Sequence, residues 1–216
     1  MDILSLFHKM NILIHILAGS SALLIGVFIL VAAKGGKKHR ILGCLFLWLL
    51  SIVILTGLLG VFIFKRNSFL LVITVLSGYL GFSGFRVMRN RSNKPRLLDV
   101  AAALLSILSV FFFVYYFRSI GMIWSPVIVC STVGYLVLVV VYDLGRYLFA
   151  KKTYQNIWMY EHILKMVSAF SALLSAFTGT VLPQYHPYSQ FLPSVFGSVI
   201  ALVFMLSYWY KRKFKI

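Results

Sequence analysis

The chain has 216 residues, of which 61% are hydrophobic and only 12% are charged, and its mean hydropathy is +0.95. A soluble domain carries roughly 25% charged residues, so this composition excludes an ordinary water-soluble fold. The formal charge of +17 would indicate nucleic acid in a soluble protein, but here the basic residues lie in short loops between apolar runs. They are explained by membrane topology and by anionic lipid headgroups on the cytoplasmic side, and no nucleic-acid partner is expected.

Apolar runs of about twenty residues recur along the chain, which is the length that an α-helix needs to cross a bilayer. The sequence therefore predicts an all-α, polytopic integral membrane helix bundle, with residues 1–216 as a single transmembrane domain. Pro95, Pro126 and Pro193 are placed at or just before helix starts, where proline is tolerated. About seven spans are expected, at residues 10–33, 41–64, 69–87, 97–117, 124–147, 162–182 and 191–210.

The basic residues are distributed unequally between the two ends of these spans. One alternate set of loops and tails holds sixteen of the 21 Lys and Arg residues, in segments 34–40, 86–96, 146–152 and 211–215. The opposite set holds only four, which are Lys9, Lys65, Arg66 and Arg118. The positive-inside rule then predicts an N-terminus outside and a C-terminus in the cytoplasm.

His15 is the first polar residue at predicted membrane depth, where such side chains are rare unless they have a role. It shares a helical face with Gly19, Ala22 and Gly26, and small residues in that pattern let a second helix approach closely. We therefore expect His15 to point into the bundle. An interhelical hydrogen bond, an outer ligand and a proton relay are all compatible with that position.

His39 and His162 are expected on the same side of the membrane at similar depth. Two histidines that face each other across a bundle can ligate a haem iron or another metal, and neighbouring cations can hold the haem propionates. The predicted cofactor would be haem b, with His39 and His162 as the metal ligands. The predicted cofactor-binding residues are His39 and His162 as inner ligands, Lys165 and Arg40 as holders of anionic groups, and His15 as a separate outer ligand or proton relay.

The acidic residues are few, and three of the four have a simple local explanation. Asp99 opens the fourth span, where a negative charge complements the helix dipole. Asp143 lies three residues before Arg146, and Glu161 lies four before Lys165, so local ion pairs are expected. The alternative is a proton or substrate pathway that contains Asp143 and His15.

Short motifs spread over most of the chain are similar to those of an uncharacterised bacterial family of membrane proteins, domain of unknown function 2306. The motifs are His15 with Ala18-Gly19, Lys34-Gly35, His39-Arg40-x-x-Gly43, Gly78-Tyr79, Arg86, Asp99, His162-x-x-Lys165-Met166 and Leu192-Pro193. In the family arginine is common where Lys165 stands, and this departure keeps a cation in place. The resemblance implies a multi-pass protein of the bacterial cytoplasmic (inner) membrane and a role for His15, His39 and His162, without saying which role.

The leading functional hypothesis is a membrane-embedded haem-binding, metal-binding or redox module. Its main rival is a small-solute or proton-coupled transporter that uses His15, Asp143 and Lys165. A third hypothesis is a non-catalytic membrane partner or assembly factor. The sequence leaves open whether the chain binds another membrane protein, whether it forms a homo-oligomer, and whether it is an enzyme. The sequence contains no P-loop, G-x-S-x-G or H-E-x-x-H motif, so ATPase and hydrolase chemistry is not expected.

Overall fold

A computed structural model describes residues 3–64, 69–119, 121, 129–149 and 154–214. A π-helical segment, Val129–Gly134, leads directly into the fifth helix, and a short 3-10 turn, Pro183–Tyr185, precedes the last one. No strand occurs in the part of the chain that the structure describes, as the sequence predicted. In chain order the α-helices are α1 Ile3–Val31, α2 Lys37–Phe62, α3 Phe69–Asn90, α4 Leu97–Ser119, α5 Tyr135–Phe149, α6 Tyr154–Val181 and α7 Tyr188–Phe214.

Seven helical segments within these residues are long and apolar enough to cross a membrane. Their outward faces are strongly apolar, since Phe28, Leu105 and Leu206 are each more than 60% exposed. Large exposed surfaces of this kind are stable in lipid rather than in water. The structure is therefore that of a multi-pass membrane protein.

Two helices begin well before the starts predicted for them. α1 begins at Ile3 and not near residue 10, and α6 begins at Tyr154 and not near residue 162. Neither segment contains the Gly or Pro that would interrupt a helix. Residues 154–161, which lie between two of the predicted spans, thus form the first two turns of α6. Residues 150–153 and Pro126 lie outside the described residues.

Pro193 is the sixth residue of α7 and so lies inside the helix, not at its start as predicted. A proline has no N–H group, so the carbonyl of Ser189, four residues earlier, loses its partner within the helix. Thr178 of α6 replaces that partner, because its hydroxyl donates a hydrogen bond to the Ser189 carbonyl at 2.5 Å. Neighbouring helices commonly satisfy such carbonyls in membranes, so the proline is tolerated here.

The chain divides into two compact units, Met1–Thr74 (unit 1) and Val75–Ile216 (unit 2). Unit 1 contains α1, α2 and the first residues of α3, and unit 2 contains the rest of α3 with α4 to α7. The single transmembrane domain stays a prediction.

In unit 1, α1 packs along α2 through small side chains. Ala18, Ala22 and Gly26 of α1 are buried, and a Cβ atom on Gly19 would lie 3.8 Å from Val53 of α2. The close helix approach that was predicted from the small-residue face of His15 is therefore present.

In unit 2, α6 packs along α7 and also meets the second half of α3. A Cβ atom on Gly84 of α3 would lie 3.1 Å from Lys165 Cβ and 3.0 Å from the sulfur of Met166. These distances are tighter than ordinary contacts, so Gly84 holds the backbones of α3 and α6 close together. This approach places Lys165 beside α3, in the interior of unit 2.

Candidate functional site

The three acidic residues that the structure describes all lie in unit 2, and all three form ion pairs. Asp99 is in the first turn of α4, Asp143 is in α5 and Glu161 is in α6. The cations that meet them are Arg86, Arg146 and Lys165. They form two groups, which are described in turn.

The first group centres on an ion pair between Asp143 and Lys165. Lys165 Nζ lies 2.5 Å from Asp143 Oδ1, and only 2% of Lys165 and 5% of Asp143 is exposed. The second carboxylate oxygen accepts a hydrogen bond from the Tyr79 hydroxyl at 2.7 Å. Both carboxylate oxygens are thus bound by donors on other helices, namely α3 and α6.

Glu161 forms the second carboxylate of the same group. Its Oε2 accepts a hydrogen bond from Arg146 at 2.9 Å, and its Oε1 accepts one from the Tyr142 hydroxyl at 2.7 Å. Lys165 Nζ is 3.8 Å away, which is an ion-pair distance but not a hydrogen bond. Glu161 is only 4% exposed, so its carboxylate too is almost fully buried inside the protein.

Tyr154 is the last member of this group. It is the first residue of α6 and precedes Ile157–Val181, the part of the helix that is apolar enough to cross a membrane. Burial raises the pKa of its phenol above the ordinary value, and the Glu161 carboxylate raises it further. The phenol therefore stays protonated near neutral pH and donates to Glu161 at 3.2 Å, while it also contacts the Arg146 guanidinium. We call this group the Asp143 cluster, and its members are Asp143, Arg146, Glu161, Lys165, Tyr79, Tyr142 and Tyr154.

The Asp143 cluster contains two carboxylates and two cations that are linked crosswise. Arg146 Nε lies 3.5 Å from Asp143 Oδ1 while its terminal nitrogen binds Glu161, and Lys165 likewise faces both carboxylates. The formal charges cancel, which reduces the cost of burying them in a region of low dielectric. Each of the two cations thus has both carboxylates within 4.0 Å, so the charges of the cluster can pair in more than one way.

The second group is the pair of Arg86 on α3 with Asp99 on α4. Arg86 donates two hydrogen bonds to the carboxylate, at 2.6 and 3.1 Å, in the parallel geometry that suits a guanidinium. Asn90 adds a third donor at 3.3 Å. Asp99 opens its helix as predicted, but its pairing with Arg86 was not predicted.

Two predicted site residues, Asp143 and Lys165, are brought together. The sequence predicted local partners for each, Arg146 for Asp143 and Glu161 for Lys165. Both local ion pairs exist, at 3.5 and 3.8 Å, but the 2.5 Å contact joins Asp143 and Lys165 to each other. Tyr79, Tyr142 and Tyr154 were missed, because a single tyrosine in an apolar run carries no signal of what it faces.

His162 is half-buried near the start of α6, and its Nδ1–H donates to the carbonyl of Gly84 at 3.1 Å. His39 and the exposed Arg40 are in the first turn of α2, in unit 1. The approach of His39 to His162 therefore stays a prediction. In the described ranges no three His, Cys, Asp or Glu residues are grouped as metal ligands.

His15 makes the interhelical hydrogen bond that was one of its predicted roles. Its Nδ1 lies 2.8 Å from the Thr56 hydroxyl, which itself donates to the Ile52 carbonyl at 2.7 Å. The histidine must therefore donate through Nδ1, which leaves Nε2 as an acceptor when the ring is neutral. Asn11 adds a bond to the Thr56 carbonyl at 3.0 Å, so this polar contact between α1 and α2 is neutral throughout.

Comparisons of the chain with protein-family models, curated proteins and solved structures find no match. The resemblance to domain of unknown function 2306 gains no support from them and stays a prediction. The function is therefore inferred from the geometry of the site.

Proposed function

We propose that this protein is a proton-coupled transporter of a small solute, with the Asp143 cluster as its proton-binding site. The observation that carries the proposal is the Lys165–Asp143 ion pair, 2.5 Å long and almost fully buried within helices that are apolar enough to cross a membrane. Ionisable groups in such positions are costly, and they are typical of ion and proton pathways. His15 as a further coupling group stays a prediction.

A purely structural role explains the charges less well. Breaking a buried ion pair is strongly destabilising, but replacing both partners with neutral side chains is often neutral or even stabilising. Helix packing in unit 2 already has close contacts at Gly84, Gly179 and Gly197. Stability alone therefore gives no reason to keep four charges in the interior.

The crosswise pairing suggests how a proton would change the structure. A proton that binds Asp143 removes its negative charge and weakens its contact with Lys165. Lys165 Nζ then has Glu161 Oε2, only 3.8 Å away, as the alternative acceptor. A shift of Lys165 towards Glu161 would loosen α5 from α6, so proton binding would be linked to a movement of these helices.

The proposed orientation places the N-terminus outside and the C-terminus in the cytoplasm of a bacterial cell membrane. Its support is the unequal distribution of Lys and Arg between the two sets of loops. Asn93, in the basic segment 89–96, donates to the Arg146 carbonyl at 2.7 Å. The Asp143 cluster would then lie near the cytoplasmic side, where the basic segments meet anionic lipid headgroups.

The experiment is a current measurement on proteoliposomes adsorbed to a solid support. Concentration jumps of neutral amino acids, monocarboxylates and monosaccharides are applied with and without a pH gradient. We expect at least one of these classes to evoke a current that depends on the pH gradient, and we expect Asp143→Asn to abolish it.

The matched control is Thr180→Val, which removes an exposed hydroxyl on α6 that bonds only to the Ala176 carbonyl of its own helix. This variant is expected to transport like the parent chain. An Asp143→Asn variant with an undiminished pH-dependent current would contradict the proposal, and so would a parent chain that is silent towards all three solute classes.

The haem or metal module is the second candidate, and one observation favours it. Histidine ligands of metals usually donate their other ring nitrogen to a carbonyl or carboxylate, as His162 does to Gly84. Oxidised and dithionite-reduced absorption spectra of the protein purified from haem-replete cells test this candidate. It predicts a stoichiometric Soret band that His162→Ala and His39→Ala both remove, and a featureless spectrum with no bound metal would contradict it.

A further inference from the structure

A small cavity in unit 2 borders both groups of charges. Its accessible volume is about 20 Å³, and its lining includes Arg86 and Asp99 on one side and Asp143 and Arg146 on the other. A cavity needs roughly 10–15 Å³ of such volume to hold one water molecule. The space therefore suits one water molecule and is too small for an organic solute.

Three residues that line the cavity each have a buried polar atom without a hydrogen-bond partner among the described residues. The atoms are Ser83 Oγ, Asn90 Oδ1 and Arg146 Nε. Ser83 is 8% exposed, and Arg146 Nε is 3.5 Å from Asp143, too far for a good hydrogen bond. Buried polar atoms are nearly always satisfied, by protein or by ordered water, so these three atoms need a partner.

The chemistry of the three atoms matches a water molecule. Arg146 Nε–H can only donate, Asn90 Oδ1 can only accept, and the Ser83 hydroxyl can do either. A water molecule donates two hydrogen bonds and accepts two, so it can pair with an atom of any of these three kinds. An inorganic anion would leave Asn90 Oδ1 without a donor, and a metal cation would face the Arg146 guanidinium.

We propose that this cavity binds a water molecule that joins the Arg86–Asp99 pair to the Asp143 cluster in one hydrogen-bonded network. The site itself is independent of the proposed function. The role of the bound water rests on the proposed function. In that role the network would give a proton on Asp143 a route towards the basic segment 89–96.

X-ray radiolytic labelling in ¹⁸O water tests for the bound water, because radicals formed from an internal water oxidise the side chains beside it. Tyr79 is the reporter, as it lines the cavity and is only 6% exposed. Phe113 of α4 is the buried control, since it is 2% exposed and lies away from the cavity. We expect label on Tyr79 and none on Phe113 in the intact protein.

Ser83→Val removes one polar partner and fills the space, so it should reduce Tyr79 labelling to background. The matched variant is Ser106→Val, at a serine that is equally buried but bonds to the Ala102 carbonyl of its own helix. It should leave Tyr79 labelling unchanged. If Ser83→Val does not fold, Asn90→Leu provides the same test at a half-buried position.

An intact protein with unlabelled Tyr79, or equal labelling in Ser83→Val, would overturn the water site. The transport currents separate this proposal from the proposed function. Labelled Tyr79 in a chain without any proton-coupled current would overturn the function and leave the water site standing. A proton-coupled current that Asp143→Asn abolishes, together with an unlabelled Tyr79, would overturn the water site and leave the proposed function standing.

Discussion

Units 1 and 2 bury different kinds of polar side chain between their helices. In unit 1 the polar contact between α1 and α2 consists of Asn11, His15 and Thr56, which are joined by neutral hydrogen bonds. Unit 2 holds five ion-pair contacts that involve Asp99, Asp143 and Glu161. Close contacts of small residues occur in both units.

From this difference we infer that the function lies in unit 2. The contact of α1 with α2 in unit 1 is made by small residues, buried apolar side chains and neutral hydrogen bonds. The ion pairs of unit 2 are additional to contacts of this kind, and burying them carries a desolvation cost. We infer that they are present because the protein changes their protonation or pairing.

The largest expected effect is that of Lys165→Met, which breaks the charge balance of unit 2. It leaves Arg146 as the only cation of the cluster for the two carboxylates of Asp143 and Glu161, so one negative charge stays buried without a compensating cation. Removal of one partner of a buried pair typically costs about 3–5 kcal/mol. SDS-driven unfolding in mixed micelles measures the free energy of unfolding, and a loss below about 1 kcal/mol would show that the cluster is not held as described.

A smaller loss is expected from Gly197→Ala, which tests packing in unit 2 without touching a charge. A Cβ atom there would overlap the Ser171 hydroxyl and come within 2.7 Å of its Cβ. Overpacking of this kind costs about 1–3 kcal/mol. Gly43→Ala in α2 is the control, because a Cβ on Gly43 meets nothing within 4 Å. Equal unfolding free energies for the two variants would refute the close contact between α6 and α7.

The smallest effect is expected from Thr56→Val in unit 1. The change keeps the shape of the side chain and removes the hydroxyl that accepts from His15. Hydrogen bonds between membrane helices contribute about 0.6 kcal/mol on average. Thermal unfolding in detergent should therefore shift little, and transport should persist. A loss as large as that of Lys165→Met would remove the contrast between the two units.

Much of the fold could be predicted from the sequence, because long apolar runs leave few alternatives to membrane helices. The inward face of His15 was also predictable, since small residues at helical spacing mark a contact surface. The early starts of α1 and α6 were missed, because polar residues interrupt the apolar pattern in 3–9 and 154–161, although neither segment contains a helix breaker.

The site was predicted less well, for a physical reason. Helical spacing identifies partners three or four residues away, so it found Arg146 for Asp143 and Glu161 for Lys165. The shorter contact of Asp143 with Lys165 depends on which faces of α5 and α6 meet, which spacing does not determine. The Arg86–Asp99 pair was within reach, since both residues flank the same short loop between α3 and α4.

We propose that the charges of the Asp143 cluster serve transport and not stability. The most direct test is the double variant Asp143→Asn with Lys165→Met, which removes one negative and one positive charge together. We predict an unfolding free energy closer to the parent chain than that of either single variant, together with no proton-coupled current in proteoliposomes. A double variant that transports protons like the parent chain would contradict the account.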